Sequence, residues 1–138
     1  MRPRPKPWTG AASRLRRPCL ARAAPFQQVG IGSQRGTHTH WQLVTNDGTG
    51  APTLTDMGAS FAIATGGVLT LFIAAPPNGS SVWVRVVDEV SGAVFEQEIT
   101  ADLPAATQFL SPRLFMNTGA TAAAVAFDCA GGYVETDF

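Results

Sequence analysis

Residues 81–90 read SVWVRVVDEV, and with the following SGAVFEQEITA to Ala101 they decide the fold. Val82, Val84 and Val86 alternate with Trp83, Arg85 and Val87, the period of two that sends successive side chains to opposite faces of a strand. Ser91-Gly92 is a turn pair. Beyond it the alternation resumes in Ala93–Ala101, with Phe95 and Ile99 facing away from Val94, Glu96 and Glu98. Two alternating runs joined by so short a turn read as a β-hairpin.

The same period extends outward in both directions. His40–Thr45 is a short strand with Trp41 and Leu43 on one face, and Asn46-Asp47-Gly48 supplies residues tolerant of a left-handed turn. Ser60–Thr65 aligns Phe61 with Ile63. Val68–Ala75 puts Leu69, Leu71 and Ile73 on one face and Val68 and Phe72 on the other, so a central strand covered on both sides is expected. Pro76-Pro77-Asn78-Gly79 ends it. Gln108–Met116 is strand-like, with Pro112 requiring an edge or a bulge. After the turn Asn117-Thr118-Gly119, the segment Thr121–Ala130 is ambiguous: three alanines favour helix, whereas Val125, Phe127 and Cys129 alternate as in a strand. Tyr133–Phe138 is a last alternating run. About eight strands at this spacing predict an all-β chain, an antiparallel β-sandwich of jelly-roll type.

Composition agrees. At 138 residues the chain is one domain at most, and 45% apolar against 14% charged is too hydrophobic for general disorder. No apolar run approaches the roughly 18 residues of a membrane-spanning helix. The net charge of zero hides a division. Residues 1–36 hold eight of the ten basic residues and no acid, whereas residues 37–138 hold all ten acids with only Arg85 and Arg113, a net charge of −8. This predicts a disordered basic tail over 1–36 and a folded body over 37–138. Clustered arginines can neutralise nucleic-acid phosphates, and acid-free Arg-rich segments can target proteins. Five prolines break any amphipathic helix in this one. A passive or spurious tail rich in GC-coded residues is the plainer reading, and nucleic acid is not an expected partner.

The chemistry-bearing residues are sparse. Cys19 and Cys129 are too few for a disulfide framework or a zinc site, and Cys129, beside Phe127, reads as core. His38 and His40 share a face but have no third Cys or His ligand apart from the cysteines, so a solvated strand start is favoured over a metal site. Glu96/Glu98 and Glu135/Asp137 are same-face pairs about 6.5–7 Å apart, within the range of inverting glycosidases. Neither has an apolar pocket around it in sequence, and a solvent-facing strand is the simpler reading. No nucleophile motif and no phosphate-cradling glycine loop occur, so no catalytic residue, metal or cofactor is expected. Trp83 and Arg85 remain. They share one strand face, a packed core would not set arginine beside tryptophan, and exposed aromatics stack on sugar rings. The plainer alternative is packing in a core or between subunits.

The last thirty residues are more specific. Leu110-Ser111-Pro112, Asn117-Thr118-Gly119-Ala120-Thr121, Ala124-Val125-Ala126-Phe127-Asp128 and Tyr133-Val134-Glu135-Thr136-Asp137 resemble the C-terminal module of bacteriophage tail-fibre and minor structural proteins. The stretch Thr39–Val44 with Thr55-Asp56-Met57-Gly58 is similar to its preceding strands, so the resemblance covers about residues 38–138. It implies a lectin-like jelly roll and takes the alanine-rich segment as strand. It also implies a non-enzymatic virion protein assembled as a homotrimer with other virion proteins, and adhesion to a host-surface glycan. Family members place further strands upstream where residues 1–36 look nothing like them, so a sandwich lacking N-terminal strands, a truncated copy of prophage origin, is expected. Two other readings stand beside this one: a secreted bacterial carbohydrate-binding β-sandwich, and a glycan hydrolase that lacks a cleft for its acid pair.

Overall fold

The computed structural model describes residues 26–34, 36–116, 126 and 128–135. They are all-β. Strands β1 (Gln28–Gly32), β2 (Gln42–Asn46) and β3 (Thr53–Asp56) form one antiparallel sheet in that order. Strands β4 (Leu69–Ala74), β5 (Val82–Asp88) and β6 (Val94–Ile99) form a second. The only helical element described is a single 3-10 turn, Ala59–Phe61, between the sheets in sequence. The two sheets contribute to one core: Leu43, Met57 and Phe61 from the first half pack with Val84, Val86 and Ile99 from the second. Phe61 meets Phe95 edge-on, with ring centroids 6.2 Å apart, a favoured aromatic geometry. The arrangement is compatible with a β-sandwich.

The hairpin at the centre of the sequence argument is present. β5 and β6 pair from Val82↔Ile99 to Val87↔Val94. Its turn is closed by the Asp88 carboxylate, which accepts the N–H groups of Val90 at 2.8 Å and Ser91 at 3.3 Å. Gly92, at φ 75°, supplies the left-handed step. Those two N–H groups hold the Asp88 carboxyl below the usual carboxylate range.

Several expectations are corrected. β4 is an edge strand, not a central one. The strand buried on both faces is β2, every residue of which is buried. Ser60–Thr65 is not a strand: Gly58, at φ 85°, turns the chain, Phe61 N–H bonds the Gly58 carbonyl, and the turn tucks the Phe61 ring into the core. Only Ala62 retains a bridge, to His40. β1 lies within the segment read as tail; Gln28–Gly32 pair with Gln42–Asn46 throughout, so the folded body reaches back past residue 37. β3 has no alternating signal, and only Thr55-Asp56, within the stretch likened to a strand, overlaps it.

Residues 108–116 carry no strand, nor do the described residues 128–135. Most of Thr121–Ala130, the end of Tyr133–Phe138 and the first 25 residues lie outside the described residues. Cys129 is exposed rather than in the core, its thiol donating to the Gly131 carbonyl at 3.5 Å.

Candidate functional site

The outward face of the second sheet is built by register. Alternation turns Val84 and Val86 into the core and leaves Trp83 and Arg85 outside. Pairing then lays two rows across three strands: Ala74–Trp83–Glu98, and Phe72–Arg85–Glu96. Trp83 is 53% exposed and Phe72 55%. They stand diagonally across β4 and β5, about 7–8 Å apart at the backbone. Ala74, opposite Trp83, is too small to cover the indole. The result is a shallow hollow of about 230 Å³ lined by Phe72, Ala74, Trp83, Val84, Arg85 and Glu96.

Arg85 Nη1 donates to Glu96 Oε1 at 3.0 Å. Both side chains are exposed, and such a pair contributes only about 0–1 kcal/mol to folding. What it does is hold a guanidinium and a carboxylate in fixed positions beside two aromatic rings. Rings can stack on the apolar C–H face of a pyranose. The remaining N–H groups and carboxylate oxygens can hydrogen-bond its hydroxyls. The hollow is smaller than the usual 300–1,000 Å³ of an enclosed small-molecule pocket.

The structure therefore brings together Trp83 and Arg85, as the sequence indicates, and adds Phe72. Its signal was available: Phe72 stands on the opposite face of β4 from Leu69, Leu71 and Ile73, but the β4–β5 register was needed to set it beside Arg85. Glu96 and Glu98 lie on this open face, on the outer strand β6, and Glu96 lines the hollow.

The histidines have separate partners. His38 Nδ1 accepts the Gln34 N–H at 3.2 Å, and His40 Nδ1 lies 3.0 Å from Asp56 Oδ1. Asp56 also accepts Gln42 Nε2 and the Gly58 N–H. With the Gln42 amide contributing most and Gly58 next, its carboxyl is held below the usual range. No group of three metal-ligating side chains occurs among the described residues, and no helix there is long and apolar enough to cross a membrane. A second hollow, of about 210 Å³, opens where β2 and β3 meet the end of β6. Thr45, Thr53, Thr55 and Asp102 line it. Comparison with protein-family models, with curated proteins and with solved structures finds no match.

Proposed function

We propose that the chain is a non-enzymatic virion structural protein of tail-fibre type. Its β body assembles as a homotrimer with other virion proteins and adheres to a host-surface glycan through the outward face of the second sheet. It needs no cofactor. The observation that supports this reading is the exposed Trp83–Phe72 pair flanked by the Arg85–Glu96 ion pair. Two large aromatic side chains left half in solvent are suited to stacking on sugar.

The test is binding to a glycan array and to whole cells by the wild type, Trp83→Ala and Phe72→Ala, with folding followed by circular dichroism. Both positions are exposed, so folding should survive. Each substitution is expected to weaken binding about tenfold, equivalent to about 1.4 kcal/mol. Equal binding by folded variants would place the site elsewhere, and no binding by an assembled wild type would leave a purely structural role.

A further inference from the structure

Among the described strands β4 is an unprotected edge. It pairs with β5 alone among the described strands, and its six residues, LTLFIA, include no charge and no proline. Sheet edges are ordinarily blunted by such residues, because free N–H and C=O groups recruit further strands. The other outer strand of this sheet, β6, carries Glu96 and Glu98. The inward side of β4 is also incompletely covered. Leu71 and Ile73 share a face with the fully buried Val86 and Val84, yet they are 37% and 44% exposed.

The chain holds an apolar segment that matches this deficit. Residues 108–116, QFLSPRLFM, form neither strand nor helix, and Phe109, Leu110, Leu114, Phe115 and Met116 are all exposed, Phe109 at 92%. Within one copy the segment meets Phe26, just before β1: the Arg113 guanidinium lies over the rings of Phe26 and Phe115, at 5.5 and 5.4 Å from their centroids. Its own β4 is left without it. We infer that residues 108–116 of one copy add as a strand to the free edge of β4 in a second copy, laying leucines over Leu71 and Ile73.

Pro112 suits this place, since the added strand becomes the outermost one and a residue without an N–H is tolerated there. Two aromatic side chains alone bury on the order of 300–500 Å², and the flanking leucines and backbone bring the contact toward the ~800 Å² that each partner gives to a stable interface. The joined surfaces differ, so the contact is heterologous and closes either reciprocally in a pair or as a ring of three. The inference rests on the self-assembly part of the reading above and is independent of glycan binding.

The experiment uses the full chain carrying Cys19→Ser and Cys129→Ser. One preparation adds Ile73→Cys. Others add Leu110→Cys, Ser111→Cys or Leu114→Cys, so that neighbouring registers are sampled. Preparations are unfolded, mixed, refolded and mildly oxidised. A disulfide-linked pair of chains in at least one mixture, absent from each preparation alone, is expected. No link in any mixture overturns the inference, as does a link that forms to the same extent in the single preparations. In parallel, Ile73→Arg is expected to reduce the mass measured by light scattering to that of one chain while the β-sheet spectrum persists. A folded Ile73→Arg variant with unchanged mass overturns it too. Glycan binding is scored separately, so either proposal can fail alone.

Discussion

Asp102 joins the two halves of the fold through one carboxylate. It follows β6, adopts φ 52°, and accepts the N–H of Asp47 at 2.9 Å and of Thr53 at 3.0 Å, on either side of the β2–β3 turn. Burial raises its pKa, but hydrogen bonds from Thr53, Asp47 and Thr45 outweigh that and leave it below the usual range. Because the folded value lies below the unfolded one, its contribution is complete above the ordinary carboxylate pKa of about 4 and is lost as pH falls through the folded value. Asp102→Asn keeps a side chain that tolerates positive φ but removes the charge. Thermal unfolding between about pH 2.5 and pH 7 should show the variant destabilised by about 1 kcal/mol at neutral pH, with a shallower acid limb. An acid limb as steep as the wild type's would remove Asp102 from this role. At this scale the sequence was partly legible. Trp83 and Arg85 declare an exposed face by their spacing within one strand. Phe72 becomes part of the site, and Asp102 part of the junction, only through pairing between segments that no local pattern encodes.

Elements were legible where alternation met a turn signal. β5 and β6 satisfy both, and their hairpin is where it was expected. β1 has only the shortest alternation: in QVGIG Val29 and Ile31 are the apolar side chains, with Gly30 between them and Gly32 after, and the neighbouring arginines mark the segment as tail. β3, TLTD, puts no residue in the buried core and so leaves no apolar signature. The apolar run of β4 was mistaken for a central strand because two apolar faces imply two covering layers, and neither face is fully covered here. β1 matters despite its weak pattern. It supplies the ladder on one side of β2 and sets Val29 and Ile31 against the core. Deleting residues 1–33 should therefore cost several kcal/mol, half or more of a small domain's typical 5–15 kcal/mol. Deleting residues 1–25, which are aperiodic and acid-free, should move the melting temperature by no more than a degree or two. Equal stability of the two truncations by thermal unfolding would show that β1 is dispensable.

For the whole molecule, the balance between buried and exposed apolar groups sets the behaviour. Seven hydrophobic side chains are buried among the described residues and seventeen large ones are exposed, so one copy has a small core and much apolar surface still to remove from water. The net charge of zero raises no overall electrostatic barrier to association. If strand addition at β4 buries part of that surface, stability becomes a function of protein concentration, because the folded state alone takes part in the contact. With the partner at about 100 times its dissociation constant, the gain is about 2.7 kcal/mol. In a body of about 100 residues that raises the melting temperature by about 10–20 °C. Melting followed across a wide range of chain concentrations should show Tm climbing for the wild type. The Ile73→Arg variant should stay flat, since a charge on the inner face of β4 blocks the added strand, while Ile73, 44% exposed, is itself outside the buried cluster around Val84 and Val86. Parallel slopes for the two proteins would show that any concentration dependence arises from another surface and that the β4 edge stays open in the assembled protein.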